Sequence, residues 1–396
     1  MNIVFLIPSL YGGGQEKAGR MLCRYLSAHH QVTAVCFEDP GGLAESYGCP
    51  VVYLPIPTSK NFISKSAAAF SRVRQLRKLK RNLKAEMSIA FGNTAIILNV
   101  LSSIKEIKIA AVRQSFNRIR KIKTSTMVLH MRLYVWALRR SEKIMVVSEA
   151  IKKELETWYH IYNGQVIQNG VDVERIKNLG VEPVPPMKAE RQWIIHSGRF
   201  DTSKGHWHLL KIFTLIKKQL PGTGLILLGG VDNSTSTARQ IEIFCKQLLE
   251  QKNLSWSDNF DNNADVVFAG HQQNPFKFIS KSTVFVFPSL WEGFPNALIE
   301  AMACGIPVVA ADCATGPGEI LADAVEEYGI LLPAFTQDFN PRDTEIQPLE
   351  IHWAQTITDL LQNKEKLIYL SRQSERRSQH FTTIQMFAGW QNMIEE

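Results

Sequence analysis

Two glutamates, Glu292 and Glu300, lie eight positions apart in the segment SLWEGFPNALIEAMACGIPVVAAD. Pro295 suits the first turn of a helix, because the N–H that proline lacks would have no partner there. Gly305 suits the left-handed position that follows a helix. The sequence therefore predicts a helix over 295–304, with one carboxylate in the loop ahead of it and the other inside it.

The start of this predicted helix has the chemistry of an anion site. The N–H groups of Asn296, Ala297 and Leu298 have no partners within the helix, and the helix dipole adds partial positive charge at the same end. Backbone donors of this kind suit phosphate oxygens. We therefore expect a phosphate-bearing ligand beside Glu292.

A second anion signal is the stretch SGRFDTSKG at 197–205, which follows a short apolar run. Arg199 and Lys204 lie five positions apart on a loop flanked by glycines, where two cations could neutralise a diphosphate. The alternative is a surface loop with two solvated cations.

A third signal is the run Gly12, Gly13 and Gly14 after the first apolar stretch. Glycines allow a backbone to approach a bulky ligand and to adopt positive φ. The run fits two positions of the dinucleotide fingerprint, but Lys17 occupies the third, so an NAD-type site is the lesser alternative.

The charge of the chain is unevenly distributed. Residues 1–180 contain 27 Lys and Arg against 12 Asp and Glu, whereas residues 181–396 contain 18 against 25. Such asymmetry suggests an anionic partner, although solvated helix faces also collect cations. The stretch SRVRQLRKLKRNLK at 71–84 predicts a basic amphipathic helix that could rest on an anionic membrane surface. No aromatic platform for bases accompanies the charge, so we expect no nucleic acid partner.

Short apolar runs alternate with helical periodicity along all 396 residues, as in parallel sheets covered by helices. Length and pattern predict two doubly wound α/β units that face each other across a cleft. The proline-bearing stretch NLGVEPVPPMKAER at 178–191 reads as the linker. We therefore expect domains at 1–180 and 181–375, with a helix in 376–396 that crosses back onto the first.

Other patterns limit the protein class. The opening MNIVFLIPSL predicts a buried strand and not a signal peptide, and six cysteines without a C-x-x-C pair suit a reducing cytosol. No apolar segment approaches the roughly 20 residues of a membrane span. No D-x-D pair occurs, and His206 and His208 flank Trp207 without further ligands nearby, so we expect no metal.

The motifs together carry a resemblance. GGGQEKAG, QNGVD at 168–172, SGRFDTSKGH, FAGHQQNPF and above all EGFPNALIE, in the frame E-x7-E, resemble the retaining glycosyltransferases of GT-B fold, family 4. The segment CATGPGEIL at 313–321 is similar to bacterial members that transfer galactose or N-acetylhexosamine to lipid-linked oligosaccharides or lipopolysaccharide. The resemblance implies an α/β GT-B fold of two facing Rossmann-like domains with doubly wound parallel sheets.

The resemblance also implies roles for matching residues. Arg199 and Lys204 would hold the donor diphosphate, Glu292 would bind hydroxyls of the donor sugar near the reacting carbon, and Glu300 would bind the ribose hydroxyls. His271 would lie near the base. Further donor contacts are expected from Gly13, Gly14, Gly293, Phe294, Pro295, Asn296, Ala297 and Leu298.

The implied activity is that of a hexosyltransferase. It would move a hexose or N-acetylhexosamine from a nucleotide diphosphate sugar, a UDP-sugar, to a glycan or lipid-linked glycan, with retained configuration and without a cofactor. We expect a cytoplasmic protein that is peripheral at the inner face of the membrane. The alternatives are a nucleotide-sugar-binding protein, an NAD-type Rossmann enzyme, and a glycoside hydrolase using Glu292 and Glu300.

One loop departs from the family pattern. Several family members carry a histidine that contacts the donor sugar in the loop after the strand matching 107–112. Here that loop reads RQSFN. Either Arg113 or Gln114 takes over this contact, or the acceptor binds there.

Overall fold

The computed structural model divides into two compact units. The first unit comprises Met1–Asn169 and Ile384–Glu396, and the second comprises Gly170–Thr383. The residues described are 1–10, 13–38, 41–55, 62–117, 124–185, 187, 190–231, 236–260, 263–323, 325–336 and 338–396, with the backbone alone for 41 and 62–68.

The first unit is built on a parallel sheet. Its strands are β1 (Asn2–Leu6), β2 (Gln31–Cys36), β3 (Val51–Tyr53), β4 (Met87–Phe91), β5 (Ile107–Val112), β6 (Lys143–Val146) and β7 (Gly164–Val166). Its helices are α1 (Gly14–Ser27), α2 (Phe62–Asn82), α3 (Asn93–Leu101), α4 (Ser125–Arg139) and α5 (Glu149–Tyr159). Over the described residues the strand order is β3-β2-β1-β4-β5-β6-β7, and every neighbouring pair is parallel.

The second unit repeats this design. Its strands are β8 (Trp193–Ser197), β9 (Gly224–Leu228), β10 (Trp256–Ser257), β11 (Val266–Gly270), β12 (Val284–Phe287), β13 (Val308–Asp312) and β14 (Ile330–Pro333). Its helices are α6 (Val173–Gly180), α7 (His206–Gln219), α8 (Ser236–Gln251), α9 (Phe276–Ile279), α10 (Asn296–Ala303), α11 (Pro317–Leu321), α12 (Pro348–Gln362) and α13 (Lys364–Ser378). The described strands follow the order β10-β11-β9-β8-β12-β13-β14 and are again parallel.

Burial explains why these segments form strands. Every residue of β4, β9 and β12 is buried, which is typical of parallel sheets covered by helices on both faces. In each sheet one pair of neighbouring strands has connections that lead away in opposite directions: β1 and β4 in the first sheet, and β8 and β12 in the second. We call the place between such a pair the reversal point. Ligands of open α/β sheets bind at such points, beyond the carboxyl ends of the strands. The prediction of two doubly wound units is confirmed.

The boundary between the units differs from the predicted one. The first passage of the chain falls between Asn169 and Gly170 and not after residue 180. The reason is that α6 packs on α9 and α10. Ser280 Oγ donates to the Gly180 carbonyl at 2.6 Å, and Asn274 Nδ2 donates to the Leu179 carbonyl at 2.8 Å.

The last helix, α14 (Thr383–Glu395), belongs to the first unit from Ile384 onward. The Phe387 ring stacks on Tyr25 with centroids 4.2 Å apart, and the Trp390 ring stacks on Phe91 at 5.9 Å. Lys143 Nζ donates to the Met393 carbonyl at 2.6 Å. Helix α13, which covers the start of the predicted crossing segment, remains in the second unit.

The predicted basic helix at 71–84 corresponds to the second half of α2. Leu76 is buried, so the apolar side of this half faces the protein, whereas Phe70, just ahead of it, is 70% exposed. Lys80, expected among the surface cations, is also buried: its Nζ lies 2.5 Å from Glu106 Oε1 and 2.7 Å from Asn99 Oδ1. Over the described ranges, no helix has both the length and the apolar composition that a membrane span needs.

Candidate active site

The predicted site residues follow parallel strands near the middle of the second sheet. His271 follows β11, Arg199 and Lys204 follow β8, and Glu292 follows β12. Strand β9 lies between β11 and β8, and β12 is the other neighbour of β8. Since the carboxyl ends of parallel strands share one edge of a sheet, these loops are neighbours. The reversal point between β8 and β12 lies between the loops that carry Lys204 and Glu292.

Backbone contacts hold these two loops together. The N–H of Leu290 donates to the Ser203 carbonyl at 2.8 Å. Gly205 has a φ of 63°, and a Cβ there would collide with the Pro288 carbonyl oxygen. Only glycine fits such a position. The glycine that ends the SGRFDTSKG loop therefore allows the close approach of the loop after β12.

The two loops meet in an ion pair. Lys204 Nζ lies 2.6 Å from Glu292 Oε1, and the exposed fractions of the two side chains are 24% and 11%. The same ammonium group lies 5.4 Å from the centroid of the Phe287 ring. Lys204 and Glu292 are thus in direct contact. The family resemblance implies that they bind neighbouring parts of one ligand.

Arg199 lies where the chain segments that follow β8 and β9 approach each other closely. The N–H of Gly198 donates to the Leu228 carbonyl at 2.9 Å. Gly229 has a φ of 125°, and a Cβ there would collide with the Gly198 carbonyl. The side chain of Arg199 is exposed at this edge. The structure therefore places both predicted cations on one loop at the carboxyl edge of the sheet.

The helix predicted over 295–304 is confirmed as α10. Pro295 is its N-cap and not its first residue, and no side chain caps this end. Gly305 has the predicted left-handed conformation, with a φ of 73°. Phe294 and Leu298 are buried. The expectation of an open Leu298 amide is wrong, because this N–H donates to the Pro295 carbonyl at 3.2 Å, which leaves Asn296 and Ala297 as the amide donors of the helix start. The open helix start directly follows the loop that carries Glu292.

The two remaining donor residues of this unit differ in exposure. Glu300 is half-buried in the second turn of α10, and His271 is exposed. A Cβ at Gly230, beyond β9, would lie 3.9 Å from the Cβ of His271. His271 therefore belongs to the same edge of the sheet as Arg199.

Thr315 and Gly316 contact the backbone of the Glu292 loop and hold it in place, a role that the sequence did not reveal. The hydroxyl of Thr315, which is buried, donates to the backbone carbonyl of Glu292. Gly316 has a φ of 93°, and a Cβ there would lie 2.6 Å from Pro295 Cδ and 2.9 Å from the Gly293 carbonyl. The only signal in the sequence was the glycine and proline content of CATGPGEIL.

Two buried histidines lie under the loop that carries Arg199. His196 Nδ1 lies 2.9 Å from the Val286 carbonyl, and the His206 ring meets the His196 ring edge-on at 4.9 Å. His206 also stacks on Phe200 at 4.1 Å. Burial lowers the pKa of His196 to about 4, and burial together with His196 lowers the pKa of His206 well below its usual value. Both rings are therefore neutral at physiological pH.

The histidines around Trp207 face different surroundings. His206 lies beneath the Arg199 loop, whereas His208 Nδ1 contacts Glu350 Oε1 at 2.7 Å and its ring stacks on Phe335. In the part of the chain that the structure describes, no group of three or more His, Cys, Asp or Glu side chains is arranged to hold a metal ion.

In the first unit, the predicted glycines lie at the start of α1. Gly13 is the N-cap with a φ of −95°, and Gly14 begins the helix. Positive φ is therefore not the reason for glycine at either position, while Gly12 lies outside the described residues. The Gly13 and Gly14 backbone lies at the reversal point between β1 and β4.

Arg113 is held within the first unit. Its Nη2 donates to Asn169 Oδ1 at 2.6 Å, and its guanidinium lies 5.0 Å from the centroid of the Phe91 ring. Burial lowers the pKa of Arg113 to about 10, while the nearby Glu16 opposes the shift. Gln114 is exposed beside it. Asn169 belongs to the QNGVD motif, so this contact joins two of the predicted sequence features.

The chain is similar in sequence to known glycosyltransferases. The chain is 31% identical over 58% of its length to an uncharacterized glycosyltransferase of Methanocaldococcus jannaschii. Over 42% of its length it is 27% identical to the N-acetylgalactosamine-N,N'-diacetylbacillosaminyl-diphospho-undecaprenol 4-alpha-N-acetylgalactosaminyltransferase of Campylobacter jejuni. These alignments span 56% and 40% of the two relatives, respectively.

The fold is that of the GT-B glycosyltransferases. The crystal structure of Anabaena HepE in complex with UDP and glucose superposes with a TM-score of 0.76 at 17% identity, covering 100% of this chain and 98% of that one. Two family models match the sequence: Glycosyltransferase Family 4 over residues 12–175 and Glycosyl transferases group 1 over residues 183–339. Because the two models together cover both halves of the chain, it belongs to the group 1, family 4 glycosyltransferases.

Proposed function

We propose that the protein is a retaining glycosyltransferase that transfers a hexose or N-acetylhexosamine from a UDP-sugar to a lipid-linked or surface glycan. The observation that carries the proposal is the contact between Lys204 and Glu292 at the reversal point of the second sheet. The cation that would bind the diphosphate and the carboxylate that would bind the sugar lie there beside a helix start that no side chain caps. No metal or cofactor is part of the proposal.

The diphosphate is assigned to Lys204, Arg199 and the start of α10. A diphosphate gains negative charge as its bond to the sugar breaks, and fixed donors aimed at that charge lower the barrier. Lys204 supplies a charged donor, and the N–H groups of Asn296 and Ala297 supply the helix end. Arg199 supplies a second cation from the same loop as Lys204.

Glu292 has a double role in this proposal. In the structure its carboxylate accepts from Lys204 at 2.6 Å. A bound diphosphate offers the lysine a more highly charged partner, so the carboxylate becomes available to hydroxyls of the donor sugar. Donor binding and sugar recognition are thereby linked through one ion pair. Glu300, one and a half turns into the helix, is left for the ribose.

The donor and acceptor classes draw on the relatives. HepE is described in complex with UDP and glucose, and the Campylobacter enzyme is named for transfer of N-acetylgalactosamine to a diphospho-undecaprenol acceptor. We extend both to this chain: a UDP-sugar as donor and a lipid-linked glycan as acceptor. Gly13 and Gly14 are assigned to the donor phosphates, His271 to the base, and Arg113 with Gln114 to the acceptor or the donor sugar.

The first unit is assigned to the acceptor and to a membrane surface. Between residues 51 and 150 the chain contains 20 Lys and Arg against 4 Asp and Glu. An acceptor that carries a lipid diphosphate lies at an anionic surface, which a basic body approaches favourably. This supports a peripheral location at the cytoplasmic face of the membrane.

The proposal is tested by separating donor binding from transfer. UDP affinity is measured by calorimetry, and transfer by UDP release from UDP-hexoses and UDP-N-acetylhexosamines with a cell-envelope lipid extract. Lys204→Ala should weaken UDP binding about 10- to 100-fold, as expected for a charged hydrogen bond worth about 1.5–3 kcal/mol. Glu292→Gln should lower kcat at least about 100-fold and leave UDP affinity unchanged or raised, since it removes the competing carboxylate.

Lys281→Ala is the matched control, because Lys281 is exposed on the same unit and precedes β12 instead of following it. It should leave UDP affinity and transfer as in the wild type. NMR of the product should show the anomeric configuration of the donor. Unchanged UDP affinity in Lys204→Ala would remove the diphosphate from this loop, and an inverted product would contradict retention.

A further inference from the structure

One face of α4 exposes large apolar side chains in a row. Val128, Leu129, Leu133 and Trp136 are 41%, 56%, 41% and 37% exposed, and together they form what we call the α4 stripe. The opposite side of the helix packs into the first unit through Tyr134, Val135, Ala137 and Leu138, which are buried. Helix α4 is therefore apolar on two sides, only one of which is covered.

The spacing makes the α4 stripe a continuous surface. Leu129, Leu133 and Trp136 are separated by four and three residues, so they stack along one side of the helix, with Val128 beside them. Single exposed apolar residues are common on soluble proteins, but a row of this kind marks an interaction surface.

The surroundings of the α4 stripe are basic. Arg132 is exposed between Leu129 and Trp136, and Arg139 and Arg140 are exposed at the end of the helix. The Arg140 guanidinium lies 5.9 Å from the centroid of the Trp136 ring. From 107 to 141 the sequence contains nine Lys and Arg and no Asp or Glu. Any partner of this face must accept apolar side chains and a high density of positive charge together.

We propose that the α4 stripe is a docking surface for a bilayer that contains anionic lipid. The helix lies in the plane of the membrane surface, with Leu129, Leu133 and Trp136 in the interfacial layer and the three arginines at the headgroups. This arrangement has the features of interfacial helices: aliphatic and aromatic anchors flanked by cations. The inference deepens the proposed function and rests on it for the acceptor, but its test does not require catalysis.

Helix α2 contributes mainly charge, with an exposed apolar side chain at Phe70. In its second half the apolar side faces the protein, as shown by the buried Leu76, and the cation Lys80 is committed to Glu106, whereas Phe70 near the middle of the helix is 70% exposed. Helix α3 packs against both α2 and α4. The exposed cations of α2, which include Arg74, Lys78 and Arg81, therefore belong to the same helical layer as the α4 stripe.

A second copy of the chain suits this face less well. Pairing two α4 stripes would bring Arg132, Arg139 and Arg140 of both copies together, and the nearest carboxylate along the chain, Glu142, is already paired with Lys108 at 2.8 Å. Anionic headgroups provide that neutralisation. Charge complementarity thus selects the lipid surface over self-association.

The test is vesicle flotation of the full chain without nucleotide, using phosphatidylcholine vesicles with and without about one third phosphatidylglycerol. The wild type should float with the anionic vesicles and not with the neutral ones. The triple variant Leu129→Gln, Leu133→Gln, Trp136→Gln should reduce partitioning about 100-fold. Arg132→Gln should reduce it about fivefold. The control Ile243→Gln with Ile351→Gln removes two exposed apolar side chains of the second unit and should change nothing.

Unaltered flotation of the triple variant, or equal flotation of the wild type on neutral vesicles, would overturn the inference. So would a wild-type dimer in light scattering that the triple variant converts to a monomer, because the face would then be an interface between copies. Circular dichroism and UDP affinity should match the wild type in each variant. Wild-type UDP binding without vesicle binding overturns this inference alone, whereas vesicle binding without UDP binding supports it and contradicts the proposed function.

Discussion

Replacing Thr315 by valine isolates one hydrogen bond under the candidate active site. Valine has nearly the shape of threonine but cannot donate, so the Glu292 carbonyl loses the hydroxyl that it accepts from in the structure. Thr315 is 2% exposed, which leaves little room for a replacing water. The change therefore acts on the position of the Glu292 loop while the surrounding packing is kept.

The magnitude follows from the cost of an unsatisfied acceptor. A carbonyl that loses its donor in a poorly hydrated place costs about 1–3 kcal/mol. If the loop shifts to recover water, the cost appears as misplacement of Glu292 relative to Lys204 and to the donor sugar. We expect kcat/KM to fall about tenfold or more, mainly through kcat, with a small decrease in UDP affinity.

Thr315→Ser is the matched variant. It retains the hydroxyl and removes one methyl group, so it should lose about 1 kcal/mol of stability and keep kcat close to the wild-type value. Steady-state kinetics, UDP calorimetry and thermal unfolding on the three proteins separate the effects. The reasoning fails if Thr315→Val keeps the wild-type kcat, or if the serine variant loses as much kcat as the valine variant.

Two further predictions concern the same unit. Gly316→Ala combines a φ of 93° with a Cβ 2.6 Å from Pro295 Cδ, so chemical denaturation should show a loss of about 2–4 kcal/mol, whereas Gly222→Ala, with no atom within 4 Å, should show almost none. Because the pKa of His196 is lowered from 6.5 to about 4, an unfolded chain binds this proton first as the pH falls. His196 should therefore lower the unfolding free energy by up to about 3 kcal/mol between pH 6.5 and 4, in addition to the contribution of His206, and His196→Asn should make the dependence shallower; equal slopes would contradict it.

The fold was readable from the sequence because its signals are local. Fully buried parallel strands appear as short apolar runs, and Pro295 and Gly305 mark the start and the end of helix α10. Strand β4 is harder to assign, since only Gly92 separates its apolar run MSIAF from the apolar helix α3. Periodicity does not separate a short buried strand from a buried helix that follows it.

The site could be predicted only as separate pieces. Arg199, Lys204 and Glu292 were recognised from residue type and loop position, but the contact between Lys204 and Glu292 joins positions 88 apart and depends on the order of β8 and β12. Thr315 was missed for the same reason. A buried hydroxyl that supports a distant loop has no pattern in the neighbouring sequence. Its role becomes visible only when the fold brings it against that loop.

Helices α2 and α4 show a further limit of sequence patterns. The regular apolar spacing of α2 drew attention to it, but that spacing reflects packing against the protein, as Leu76 shows. Helix α4 is apolar on two sides, so its hydrophobic periodicity does not reveal that Leu129, Leu133 and Trp136 are uncovered. Only the packed structure distinguishes an internal apolar side from an external one.

The position of α14 has a consequence for the order in which the protein can fold during synthesis. The ribosome completes all of Gly170–Thr383 before it makes the residues that stack on Tyr25 and Phe91. The first unit therefore cannot complete its packing on Tyr25 and Phe91 until the whole second unit has been synthesised. Nascent chains of the first unit alone should be a target for chaperones, and the two units should mature in the reverse of their order along the gene.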